Sequence, residues 1–223
     1  MLGHLWQNPR FKSPTIEMPA YLLNASILFG IARGAYQDSK ALVAIVFSVV
    51  ALEAFINEMA EMASGAMPKA ETEPQKIATF AEILKYVGDS RGSLEMKYNL
   101  AKWVCTGQFY EKDAKPYRDF ADLIATRNAL IHYKVLDKIT FAEHGSASMA
   151  EPKILKRLES KGILTDIPAR LNVAWIERVG TPETARWACE TAAAMVQSTI
   201  ASLPEGLCKR AAEAGFGKSF QMP

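Results

Sequence analysis

The stretch Thr126-Arg127-Asn128-Ala129-Leu130-Ile131-His132-Tyr133-Lys134 is where polar chemistry is packed into an apolar helical pattern. Arginine presents a planar fork of donors matched to phosphate oxygens. Histidine, with an unperturbed pKa of about 6.5, moves protons near neutrality. An asparagine between them can orient a group. Metal-free RNA cleavage uses the ribose 2′-hydroxyl as nucleophile, so a protein need only shuttle protons and neutralise charge on the phosphorane. Arg127, Asn128 and His132 are therefore the candidate catalytic residues, with Tyr133 and Lys134 as supporting neighbours. Asn128 and His132 stand four apart and share a helical face, whereas Arg127 and His132 are separated by about 140°. The latter pair shares a site only at a cleft edge or where the helix end distorts.

The helix that carries these residues opens at Pro116, a residue suited to a first turn because its missing amide proton is not needed there. Its apolar stripe runs through Phe120, Leu123, Ile124, Leu130 and Ile131, and Arg127 falls on that stripe. A guanidinium so placed needs a partner. The long apolar pattern from Ser39 to Ser64 supplies a candidate, because Glu53 follows Val49 by four and precedes Ile56 by three. Asn57 lies one turn further on. An unpaired carboxylate there would be costly, so Glu53 is expected to meet Arg127 or a nearby donor. A purely structural reading uses the same residues: Glu53 and Arg127 as a core salt bridge, His132 and Lys134 satisfying the last carbonyls of their helix.

The remaining pattern is helical almost throughout. Helices are expected over 21–33; over 39–64, capped by Asp38 or Ser39 and stopped by Gly65 and Pro68; and from a Thr72/Gln75 capping box to Gly88. Others are expected over 94–104, over 152–161, and from a Thr181 cap to Pro204. Val135, Ile139 and Phe141 suggest a short strand, and Gly145 to Ser148 has loop composition. Amphipathic stripes must bury against one another, so the expected fold is all-α: an antiparallel helical bundle with extra short helices and a short strand excursion. Residues 1–19 read as an extended arm, 20–204 as a single helical domain with an excursion over 135–180, and 205–223 as a frayed tail.

With 49% hydrophobic residues and a formal net charge of +2, the chain can build a core but carries no global field that would attract nucleic acid. Any basic surface is local: Lys153, Lys156, Arg157 and Lys161 either track an RNA backbone or form a solvated helix face. Cys105, Cys189 and Cys208 are odd in number and widely spaced, which points to reduced thiols. Pro9, Pro14 and Pro19 interrupt any leader-like run, and a cytoplasmic location is expected. The uncharged stretches 20–32 and 41–52 fall short of the roughly 18 to 20 residues of a membrane span, so no membrane is expected as a partner. His4 and His144 have no ligand neighbours, and neither a phosphate-cradling glycine loop nor a nucleophile elbow is present, so no metal and no cofactor are expected. Trp6, Trp103, Trp175 and Trp187 read as core.

The segment Leu123 to Lys134 resembles the signature of HEPN domains: an arginine, often followed by a polar residue, then a histidine four to six residues later. Ala51-Leu52-Glu53-Ala54-Phe55-Ile56-Asn57-Glu58 is similar to their long helix, and the all-α pattern extends the likeness over about 36–204. The resemblance implies a helical bundle that dimerises, bringing two copies of the motif into one cleft. It implies metal-independent endoribonuclease activity of a toxin or defence kind, with a cognate antitoxin or other protein partner. The other implied state is an inactive dimerisation or partner-binding module. Carried over by residue, Arg127 stabilises the phosphate, Asn128 positions it and His132 acts as general acid or base. Where some toxin members place a tyrosine two after the histidine this chain has Lys134, with Tyr133 one place early.

Overall fold

The computed structural model describes residues 24–132, 139–141, 147–149, 152–164 and 174–222. The expected arm over 1–19, together with Tyr133, Lys134 and Val135, lies outside them.

The chain is an all-α bundle. Its centre is α2 (Ala41–Ser64), around which α1 (Asn24–Gln37), α3 (Pro74–Asp89), α5 (Tyr117–Ile131) and α8 (Pro182–Ser202) pack. Between them run α4 (Leu94–Thr106), α6 (Lys153–Ser160), α7 (Trp175–Val179) and α9 (Leu207–Phe216). Ile45, Val49, Leu52, Phe55, Ile56 and Met59 of α2 are fully buried. The helix runs over 24 residues, as its period indicated, and by length and apolar content α2 is long enough to cross a membrane although its uncharged stretch 41–52 alone is not. In this fold its apolar surface is the core of the bundle.

Residues 38–40 are all that separates α1 from α2, so the two helices run antiparallel. Glu58, near the far end of α2, closes that hairpin by accepting from the backbone N–H of Asn24 at 3.1 Å and of Ala25 at 3.3 Å. A carboxylate thus satisfies the open amides and the dipole of a helix other than its own. The expected Asp38 or Ser39 cap on α2 is not made: Lys40 occupies the capping position without a side-chain bond, and Ser39 takes the left-handed turn at φ 57°.

Two other helix starts separate local from tertiary control. Thr181 caps α8 as its sequence indicates, its hydroxyl accepting from Thr184 N–H at 3.3 Å. Thr72 does not form the expected capping box. Its backbone N–H donates to the Glu205 carbonyl at 3.2 Å, its hydroxyl donates to the same oxygen, and α3 begins later at Pro74. Ser93 caps α4 through Met96 N–H at 3.1 Å, and Gly107, at φ 75°, ends it in the left-handed conformation that favours glycine.

The segment 205–222 is not a frayed tail. It forms α9, and Cys208, Ala212, Phe216 and Phe220 are buried. Phe220 stacks on Phe29 with centroids 4.4 Å apart, and Phe216 meets Phe55 edge-on at 5.0 Å. Glu71 fixes the start of α9, its carboxylate accepting from Cys208 N–H at 2.8 Å. Beyond α5, Ile139–Phe141 and Ala147–Met149 pair as an antiparallel ribbon, Thr140 opposite Ser148. Residues 147 and 148, expected in a loop, therefore belong to a strand.

Candidate active site

Arg127, Asn128 and His132 come at the C-terminal end of α5, and the helix delivers each to a different environment. Arg127 is half-buried, and its buried Nε has no hydrogen-bond partner among the described residues. Asn128 is exposed, and its carbonyl accepts from His132 N–H at 2.9 Å. His132 is the C-cap of the helix, with φ −97° and ψ 49°, and its side chain is exposed. The backbone thus leaves helical geometry at the histidine itself.

The expected Glu53–Arg127 pair is absent. Glu53 is exposed and Arg127 makes no ion pair among the described residues. The reason lies in α2, whose apolar residues surround the helix so that the stripe through Glu53 is one of several the sequence permits. The outer stripe is Glu53, Asn57, Glu61 and Ser64, all exposed, and the buried carboxylate is Glu58. Burial pushes the Glu58 carboxyl above its usual value, against the lowering pull of the Ala25 and Asn24 amides. Asn57 accepts from Lys97 Nζ of α4 at 2.8 Å and takes no part in the α5 cluster.

The ionic contacts of α5 occur instead toward its N-terminal half. Asp119, Asp122 and Thr126 recur at three and four as a buried polar stripe, of which Asp119 and Asp122 meet the cations of α6 and its C-cap while the Thr126 hydroxyl donates to the Asp122 carbonyl. Lys161 Nζ bridges Asp119 Oδ1 at 2.5 Å and Asp122 Oδ2 at 2.6 Å. Arg157 Nε reaches Asp122 at 3.1 Å, and Lys115 reaches Asp119 at 3.2 Å. Burial raises the Asp119 carboxyl, but Lys161 and then Lys115 more than offset that and hold it below its ordinary value. The basic run of α6 therefore divides: Lys153 and Lys156 are exposed, whereas Arg157 and Lys161 neutralise carboxylates. Asp119 was readable as a core-facing charge, four before Leu123, with Arg157 and Lys161 four apart as a matching pair of cations.

Next to this network lies a cleft of about 500 Å³ lined by Lys112, Arg118, Ala121, Arg157, Lys161 and Trp187 among others. Among the described residues no group of three or more His, Cys, Asp and Glu side chains could hold a metal. The three cysteines are free and buried, with burial pushing the Cys105 thiol up to about 11 and Cys208 to about 12. Trp175 and Trp187 are core as expected, but Trp103 is 42% exposed and stacks on Phe109.

Comparison of the chain with protein-family models, with curated proteins and with solved structures returns no match.

Proposed function

We propose that the protein is a metal-independent endoribonuclease that cleaves RNA by 2′-hydroxyl transesterification, with Arg127, Asn128 and His132 as its catalytic residues. The observation that carries this reading is the half-buried Arg127, whose Nε is unsatisfied among the described residues while two exposed polar side chains follow on the same helix end. A guanidinium held that way is unlike one locked into a structural salt bridge, and the carboxylate that would have locked it, Glu53, points elsewhere. Arg127 neutralises phosphorane charge, Asn128 orients the phosphate, and His132 exchanges protons with the 2′-hydroxyl or the leaving 5′-oxygen. The angle of about 140° between Arg127 and His132 on an ideal helix favours a site completed in a homodimer, as the HEPN resemblance implies.

One observation favours a second reading. Ile131, between the arginine and the histidine, is 51% exposed, which suits a catalytically silent face that docks a second copy or a protein partner such as an antitoxin. The test is incubation of the purified protein with mixed RNA in a chelator, comparing the parent with His132→Ala and Arg127→Ala. Cleavage that persists without metal, leaves 2′,3′-cyclic phosphate ends and falls by about 10² to 10⁴ in His132→Ala supports the nuclease. Inert parent and variants leave the docking module.

A further inference from the structure

The cleft beside α5 and the exposed end of that helix are parts of one surface. Arg118, Ala121, Ala125, Asn128 and His132 recur at intervals of three and four and form one stripe. Arg118, Asn128 and His132 are exposed along it, and the two residues between are half-buried alanines, so the stripe is polar at its ends and low in its middle. Its 14-residue separation corresponds to about 21 Å of helix rise, a length spanned by roughly six stacked nucleotides.

The geometry points to this stripe as the track of a single RNA strand, with the α5–α6 cleft as a phosphate-binding site at its far end from His132. Five cations, Lys112, Lys115, Arg118, Arg157 and Lys161, line the cleft against three carboxylates, Asp113, Asp119 and Asp122, so positive charge is in excess at its wall. Donor capacity is also left over. Lys112 makes no ion pair among the described residues, and Arg118 touches Asp119 only at 4.0 Å through Nε. Arg157, an exposed side chain of the cleft wall, contacts Asp122 through Nε. Lys161 and Arg157 together balance Asp119 and Asp122, so an incoming phosphodiester meets the remaining cations, Lys112, Lys115 and Arg118, rather than bare acids.

This inference takes the identity of the strand from the ribonuclease reading, but its test needs no cleavage. A labelled single-stranded DNA longer than the track lacks the 2′-hydroxyl and reports binding alone by fluorescence anisotropy. The variant is Lys112→Ala with Arg118→Ala, two residues outside both the proposed catalytic group and the Lys161 network's core. The control is Arg210→Ala with Lys218→Ala, which removes the same charge from exposed positions in and just after α9. Loss of two single-strand phosphate contacts reduces the steepness of log K against log salt by about 1.4, so the parent's advantage over the variant grows by about 25-fold between about 1 M and about 0.1 M salt. That loss in the first variant, with the control unchanged, supports the track. Equal weakening in both variants, unchanged affinity in the first, or failure of the parent to bind the oligonucleotide overturns it. Binding of inorganic pyrophosphate without the oligonucleotide also overturns it, in favour of a small phosphorylated ligand. An RNA-inert parent that still shows the cleft-specific loss would remove the nuclease and keep the site.

Discussion

Lys161→Met tests whether the α5–α6 contact is held by charge. The Lys161 side chain is 14% exposed and its ammonium bonds carboxylates that are 8% and 4% exposed. Breaking a buried pair by removing one partner costs about 3 to 5 kcal/mol, because the abandoned charge stays desolvated. Two carboxylates are left here, yet each keeps a mostly exposed partner: Lys115 for Asp119 and Arg157 for Asp122. Exposed partners recover about 0 to 1 kcal/mol each, so the net loss should be about 3 kcal/mol at neutral pH. For a chain of this size that is a fall in Tm of about 6 to 12 °C. The pH dependence identifies the cause. Asp119 is held below its ordinary value in the parent, so its contribution is present above the unfolded value and lost as pH falls through the folded one. Removing Lys161 leaves burial to push that carboxyl up, so the gap between parent and variant closes as acid protonates the variant first. Urea unfolding should show a smaller gap at about pH 4.5 than at about pH 7. Adding Asp119→Asn to Lys161→Met should restore part of the loss. A gap under about 1 kcal/mol at neutral pH, or one that does not change with pH, refutes the electrostatic account.

Glu58 should behave with the opposite sign. Its folded carboxyl is raised, so its ionisation lowers stability between the unfolded and folded values, and the deficit of Glu58→Gln against the parent should grow as pH falls from neutral; a deficit that shrinks in acid contradicts the burial argument. Glu58→Ala removes the α1 cap and should cost about 0.5 to 2 kcal/mol by chemical denaturation. Gly206→Ala should cost about 1 to 3 kcal/mol, because a β-carbon there would lie 1.9 Å from Glu71 Oε2 and 3.1 Å from its Cα, expelling the carboxylate that caps α9. In a Glu71→Ala background, where the cap and the clashing oxygen are already gone, Gly206→Ala should cost much less; an undiminished cost there contradicts the clash.

What was legible in the sequence follows how locally each feature is determined. The helical period, the Thr181 cap and the opening of α5 after Pro116 depend on neighbours a few residues away, and each is present as read. The Thr72 capping box failed because Glu205, 133 residues on, offers its carbonyl to the same backbone N–H and hydroxyl. The helix over 207–216 was missed for a related reason: Phe216 and Phe220 find their partners at Phe29 and Phe55, and a short segment with several glycines gives no sign of that by itself. The α2 carboxylates show the limit most clearly. A helix buried on nearly every side has no dominant stripe, so Glu53 and Glu58 are both admissible core-facing charges until the neighbouring helices choose between them.

In α5 the same period resolves into three faces, and the division between them is what the functional reading uses. Phe120, Leu123 and Ile124 are buried against the core; Asp119, Asp122 and Thr126 form a buried polar stripe whose two carboxylates meet Arg157 and Lys161; Arg118, Asn128 and His132 remain open. The sequence contains all three stripes, but which polar stripe is spent internally depends on α6 arriving with Arg157 and Lys161 in register. Those two cations balance the inner carboxylates while still lining the cleft, which leaves Lys112, Lys115 and Arg118 as its uncompensated basic groups. The outer stripe then retains the unspent polar groups, with Arg127 at its edge carrying an Nε that no described residue satisfies. A ligand with negative charge distributed along about 21 Å fits that leftover capacity better than a point anion, because Arg118 and His132 stand at opposite ends of it.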